Sequence, residues 1–241
     1  MPQLALIRHG QSEWNLENRF TGWVDVDLSE AGIAEARRAG ELLAATGFKP
    51  ERAYVSLLKR AIKTLHLVLE SLDRMWIPEA KSWRLNERHY GGLAGLDKDE
   101  TRAKHGADMV KIWRRSFDTP PPPVEETHEF HPANDERYAD VPREDLPASE
   151  SLKTTLERVE PYWSGEILPR LKVGENIVVA AHGNSLRALV KLLFDVSDAA
   201  IMDIEVPTGN PLLIDLAEDG TTIRAARYLD EDRAQPLPPL P

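Results

Sequence analysis

The chain has 241 residues, no cysteine and a formal net charge of −10, with 41% hydrophobic and 29% charged residues. This is the composition of a globular protein with a sizeable core; it excludes disulfides and thiolate metal sites, and no apolar run approaches the ~20 residues of a membrane-spanning helix. The negative balance argues against unspecific binding to nucleic acid or an anionic membrane, so any anion handled here needs a local cationic pocket working against the overall field.

The first element is "QLALIR", Gln3 to Arg8. It is too short for a helix, and its continuous apolar run fits a strand covered on both faces, as in a parallel sheet. Next, Ser29 reads as an N-cap, Ile33, Ala36, Ala39 and Leu43 recur at helical spacing, and Gly47 reads as the stop. A second short strand is expected over Arg52 to Ser56, followed by a helix with Leu58, Ile62, Leu65, Leu69 and Leu72 on one face. Phe117 to Pro142 holds four consecutive prolines and little apolar content, so it reads as a long excursion over the surface. Near the far end, "ENIVVAAHGNSLRALVKLLFD" repeats the opening pattern: an apolar strand, then His182-Gly183-Asn184, then a helix. Strand-helix units on both sides of the excursion predict a single α/β domain over 1–241. Its central sheet is expected to be mainly parallel and flanked by helices in a three-layer sandwich. The segment from 229 ends in "QPLPPLP", expected as a frayed terminus or, alternatively, a polyproline motif for a partner. The N-terminus has no basic region followed by an apolar signal core, which points to a cytoplasmic protein.

Open α/β sheets bind ligands beyond the carboxyl ends of their strands. His9 and His182 both fall at such ends, each followed by a glycine that permits a sharp turn or a close approach. A lone histidine there is most simply a local cap. Two in matched contexts can face one another across a crevice. Metal binding is one use for them, but Arg8 adjoins His9, Arg187 follows His182 by about a turn, and no HExxH-like ligand spacing occurs. Guanidinium repels a metal cation and clamps phosphate, so this pattern suits phosphoryl transfer, with imidazole as nucleophile and cations neutralising the equatorial oxygens.

"LIRHGQSEWN" resembles the signature of the histidine phosphatase superfamily. "NRFTGWVDVDLSEAG", "SLLKRAIKTL", "WRLNERHYGGLAGLDKDET", "WRRSFDTPPPP", "AAHGNSLRAL" and "VPTGNPLLIDL" are similar, in order and spacing, to the cofactor-dependent phosphoglycerate mutases. The resemblance runs from about Gln3 to Tyr228, and the segments around Glu87 and Arg114 are its most specific part. It implies that His9 is the phosphorylated nucleophile, with Arg8 and Arg60 on the transferred phosphate, Arg60 lying in the first turn of its helix. It implies that His182 stabilises the transferring group and that Glu87 is the acid/base. Gln11, Ser12, Asn15, Thr21, Gly22, Gly183 and Asn184 are implied as neighbouring phosphate-binding groups. Arg88, His89, Tyr90, Lys98, Arg114 and Arg115 are implied around the rest of the substrate. It further implies 2,3-bisphosphoglycerate as phosphoryl primer, no metal, phosphoglycerates as small-molecule partners, and a homo-oligomer, dimer or tetramer. Two features depart from the pattern: Gln11 stands where the family often has glutamate, and the segment after Tyr228 does not match the familiar tail, from which an incomplete lid is expected. The expected activity is interconversion of 2- and 3-phosphoglycerate. The alternatives are a phosphatase on the same scaffold and a non-catalytic phospholigand-binding module.

Overall fold

The computed structural model describes residues 1–241. In chain order the elements are strand β1 (Gln3–Arg8) and helices α1 (Glu13–Leu16) and α2 (Glu30–Ala45), then β2 (Arg52–Val55), α3 (Lys59–Ser71) and β3 (Glu79–Lys81). Helices α4 (Lys98–His105), α5 (Ala107–Arg115), α6 (Leu152–Tyr162) and α7 (Leu168–Lys172) follow. The chain closes with β4 (Ile177–Ala181), α8 (Gly183–Leu193), β5 (Leu212–Leu216) and β6 (Ile223–Tyr228). No helix is long and apolar enough to cross a membrane.

The six strands form one sheet in the order β3-β2-β4-β1-β5-β6. β1, β2, β3 and β4 are mutually parallel, while β5 is antiparallel to both of its neighbours, so it alone runs against the rest. The alternation of side chains along a strand assigns the two faces. Leu4 and Leu6 of β1 join Ile177 and Val179 in a core with α6, α7 and α8, whereas Ala5 and Ile7 join Val178 and Ala180 in a core with α2 and α3. Helices therefore cover both faces, which explains why β1 and β4 read as unbroken apolar runs.

Ser29 caps α2 as expected, accepting a hydrogen bond from the Gly32 N–H at 3.1 Å. Ala36, Ala39 and Leu43 of the expected apolar spacing face inward together with Gly32 and Gly40, while Ile33 departs from it and is 37% exposed. The helix start makes a close backbone-to-backbone approach. A Cβ on Gly10 would lie 2.1 Å from the Gly32 carbonyl oxygen, and one on Gly32 would lie 2.0 Å from that of Gln11. Two glycines let α2 close onto the segment that follows β1.

The Phe117–Pro142 stretch carries no strand and only short 3₁₀ turns. It is nonetheless packed: Val124, His131, Pro132 and Tyr138 are buried. Tyr138 lies 4.9 Å from Trp23, ring to ring, and its hydroxyl accepts from Asn86 Nδ2 at 2.9 Å. Pro122 offers its carbonyl to the Gly92 N–H at 2.8 Å. The terminal segment is likewise docked, not frayed. Leu237 packs on the larger core, and Arg233 donates to Glu35 at 3.0 Å and to the Thr208 carbonyl at 2.7 Å. Prolines can order at modest entropic cost, which a composition-based reading of the tail overlooks.

Candidate active site

The carboxyl ends of β1 and β4 are adjacent because the two strands pair in register, Arg8 opposite Ala181. Each strand is followed by its histidine, and the two imidazoles meet with ring centroids 5.0 Å apart. Both are buried. Their hydrogen bonds differ. His9 Nδ1 lies 2.6 Å from the Gly10 carbonyl oxygen, which can only accept, so Nδ1 carries the proton. Nε2 is then a bare lone pair, and Arg60 Nε donates to it at 3.3 Å. Burial, reinforced by Arg60 and Arg8, holds the His9 pKa well below its ordinary value and keeps the ring neutral.

His182 is oriented by a different contact. Its Nε2 lies 2.7 Å from Ser56 Oγ, and Ser56 Oγ also accepts from the Leu58 N–H at 3.2 Å. The Ser56 hydroxyl can donate to Nε2 or accept from it, and in either sense the contact holds the ring in place. Burial first, then Arg60, keep this ring neutral as well.

Arg60, in the first turn of α3, is held by the carbonyls of Val24 at 2.9 Å and Gly22 at 2.7 Å. Burial lowers its pKa to about 10, so it remains a cation at neutral pH. Arg8 is tied by one nitrogen to the Val206 carbonyl at 2.8 Å, leaving Nε buried and free. Thr21 Oγ1 and Arg187 Nε are also buried without partners. Buried donors in a native protein are normally satisfied, so this group around one cleft is suited to an oxygen-rich ligand.

Glu87 reaches the same cleft from the segment just before Arg88, His89 and Tyr90. Its Oε1 accepts from two backbone N–H groups, Arg88 at 2.8 Å and Asn184 at 2.9 Å. That double anchor leaves Oε2 as the oxygen free to exchange a proton. The cleft has two joined halves that share Arg8, Glu87, Tyr90 and Arg114. The inner half adds His9, Asn15, Arg19, Phe20, Thr21, Gly22, Arg60 and Lys98; the outer adds Arg115, Gly183, Asn184, Arg187, Glu205 and Val206. Burial lowers the pKa of Lys98 and of Arg114, as expected for cations gathered in one place.

Gln11, Ser12, Arg88 and His89, implied on the ligand by resemblance, stand behind the cleft wall instead of lining it. The Gln11 side chain accepts from Ser29 at 2.9 Å, and Ser12 caps α1 in a reciprocal pair with Asn15. Arg88 lies over the Tyr90 ring at 4.8 Å and donates to the Arg114 carbonyl at 3.0 Å. His89 Nδ1 accepts from the Gly91 N–H at 3.0 Å, and burial pulls its pKa to about 4. Conversely, Arg19, Phe20, Glu205 and Val206 line the cleft without having been singled out. Arg19 and Phe20 could have been found by their adjacency to Thr21 and Gly22; nothing local marks Glu205. Arg187, noted for following His182, is placed on the cleft by the helical turn that separates it from Gly183.

The model of the histidine phosphatase superfamily (branch 1) matches residues 4–132 and 123–228. A 2,3-bisphosphoglycerate-dependent phosphoglycerate mutase of Maricaulis maris (strain MCS10) is 76% identical over 241 residues, covering 100% of this chain and 99% of that protein. The enzyme of the same name from Caulobacter sp. (strain K31) is 59% identical over 238 residues, covering 99% of each. Among solved structures, a mycobacterial glucosyl-3-phosphoglycerate phosphatase in complex with VO3 superposes with a TM-score of 0.70 at 22% identity, covering 95% of this chain and 97% of that one; this likeness concerns the fold alone. With the fold, the paired histidines and these full-length similarities in agreement, the chain belongs to the histidine phosphatase superfamily and, within it, to the 2,3-bisphosphoglycerate-dependent phosphoglycerate mutases.

Proposed function

We propose that this enzyme interconverts 2-phosphoglycerate and 3-phosphoglycerate through a phosphoryl group carried on His9 Nε2. The observation that carries this reading is the tautomer lock. The Gly10 carbonyl holds the Nδ1 proton at 2.6 Å and points the Nε2 lone pair into a cleft with cations at both ends. 2,3-Bisphosphoglycerate supplies the phosphoryl group that primes His9, and the buried free donors of Arg8 and Thr21 fit such a polyanion.

In the forward step a hydroxyl of the bound phosphoglycerate attacks the phosphorus on His9. The new O–P bond forms as the P–Nε2 bond breaks, and the imidazole recovers its lone pair. Glu87 Oε2 takes the hydroxyl proton and returns it when the other oxygen gives its phosphoryl group back to Nε2. Arg8, Arg60 and His182 face the equatorial oxygens, where charge accumulates during transfer. Asn15, Thr21, Gly22, Gly183 and Asn184 complete that end, while Tyr90, Lys98, Arg114 and Arg115 take the remaining carboxylate or phosphate. This second cationic group favours the mutase reading over monoester hydrolysis, which needs one anion site. Incubation with 2,3-bisphosphoglycerate should leave acid-labile phosphate on His9, and a coupled mutase assay should depend on that primer. Turnover at full rate in unprimed, dephosphorylated protein would overturn the reading.

Two further outcomes are expected. Chelators should leave mutase activity intact, because the proposed transition-state charge is met by arginines and imidazoles; loss in EDTA that a divalent metal restores would refute this. Arg114→Ala and Arg115→Ala should each impair the mutase reaction more than hydrolysis of a small phosphate monoester. A lost charge-assisted contact is worth about 1.5–3 kcal/mol, or roughly ten- to a hundred-fold in kcat/KM. Equal losses on both substrates would move the pair out of substrate recognition.

A further inference from the structure

Seven cationic side chains line the cleft, and only two carboxylates do: Glu87 and Glu205. Glu87 is anchored by two backbone N–H groups; Glu205 has another arrangement. It lies at the mouth, its side chain 52% exposed, in the segment that leads into β5. Its one ion-pair partner is Arg115, at the end of α5 and 90 residues away in sequence. The position is rigidly set on both sides. Ile204 and Val206 are buried, the Glu205 carbonyl accepts from the Tyr228 hydroxyl at 3.3 Å, and the Val206 carbonyl holds Arg8. Hydrogen bonding and charge from Arg115, with Arg8 and Arg187 behind, keep the Glu205 carboxyl below its ordinary range, so it is ionised wherever the enzyme works.

An ionised carboxylate seated on a substrate-facing guanidinium is an unfavourable feature in a site for polyanions. It neutralises one of the charges the ligand needs, and it repels the ligand directly. We propose that Glu205 is a specificity-determining residue that serves as a displaceable counter-anion for Arg115. A bound phosphoglycerate must replace it, and ligands carrying more negative charge are penalised more. This rests on the phosphoglycerate mutase reading. A phosphate monoester carries about −1.5 to −2 at neutral pH, so the bisphosphorylated species exceeds the monophosphorylated one by that amount. Against cations alone it would bind far more tightly, and a mutase must let a bisphosphorylated species turn over in its pocket. Glu205 narrows the difference and keeps Arg115 exchangeable. Because Arg115 is 32% exposed, its pairing with Glu205 is solvent-screened and can be broken by a competing anion.

The test is direct titration of 2,3-bisphosphoglycerate and of 3-phosphoglycerate into wild-type, Glu205→Gln, Glu205→Asp, Arg115→Ala and the Glu205→Gln/Arg115→Ala double variant, alongside steady-state kinetics. Glu205→Gln should bind the bisphosphorylated ligand about threefold to tenfold more tightly and the monophosphorylated ligand by a smaller factor. Its KM should fall and its kcat should fall with it as release slows. Glu205→Asp, which keeps the charge, should stay within about twofold of wild type. In the Arg115→Ala background the gain from Glu205→Gln should shrink to less than about twofold, which a merely structural role for Glu205 would not produce. Unchanged or weaker binding by Glu205→Gln, an equal gain for both ligands, or an undiminished gain without Arg115 would overturn the proposal. Absence of primed mutase turnover in the wild type would instead overturn the functional reading, and the titrations separate the two.

Discussion

His9→Ala is expected to abolish mutase turnover, by at least about a thousandfold in kcat, and to abolish acid-labile phosphorylation by 2,3-bisphosphoglycerate. The whole arrangement at the end of β1 serves one nitrogen. The Gly10 carbonyl fixes the Nδ1 proton, Arg60 points at Nε2 from 3.3 Å, and burial with two nearby guanidiniums holds the ring neutral. A group whose pKa is pulled below 6.5 is deprotonated through the whole neutral range. Acidification from pH 8 to 6.5 should therefore not remove the nucleophile, and any activity lost over that range must be traced to another group. No neighbour can substitute for it. His182 is fully buried and its Nε2 is already engaged by the Ser56 hydroxyl at 2.7 Å. The measurement is the primed coupled assay together with phosphate trapping on the variant. A His9→Ala protein within tenfold of the wild-type rate would remove His9 from the nucleophile's role.

The strand ends were readable because burial on both faces leaves an uninterrupted apolar run, and a polar residue then marks where the sheet stops. That logic located His9 and His182, and the N-cap logic located the start of α2. On α2 the apolar spacing marked Ala36, Ala39 and Leu43 on the buried face, but it took in Ile33, which is exposed, and passed over Gly32 and Gly40, which have no side chain to signal burial. Glu87 could not be separated from 39 other acidic residues by chemistry alone, since the chain has 40 Asp and Glu in all. Its distinction lies in pairing the N–H of its neighbour Arg88 with that of Asn184, 97 residues away, and the family resemblance carried that information. Glu205 and the docked proline tail had no such support. Both depend on contacts across long sequence separations, to which local composition is blind.

Arg158→Ala should destabilise the protein by about 3–5 kcal/mol and lower kcat through Glu87, without Arg158 touching the cleft. Arg158 and Glu150 form a buried pair, 5% and 3% exposed, joined at 2.7 and 2.9 Å. The remaining guanidinium donors go to the carbonyls of Arg84 at 2.7 Å, Glu87 at 3.1 Å, and Trp83 and Asn86 at 3.2 Å. Glu150 in turn accepts from the His89 N–H at 2.8 Å. The pair therefore grips the main chain on both sides of Glu87, from α6 and the residues just before it. Removing the guanidinium leaves an uncompensated carboxylate and several carbonyls without donors in a dry region, which is the costly half of breaking a buried ion pair. At about 2–4 °C per kcal/mol for a chain of this size, the melting temperature should drop by roughly 6–20 °C. Arg158→Lys should recover little, because a single ammonium cannot reproduce the planar fork that reaches the carboxylate and the carbonyls together. A positioning role predicts that kcat falls while the affinity for 3-phosphoglycerate, proposed to rest on Arg114, Arg115 and Lys98 on other elements, changes by less than about threefold at temperatures well below the melt. A variant that loses less than about 1 kcal/mol and keeps wild-type kcat would show that the segment around Glu87 holds its shape without Arg158.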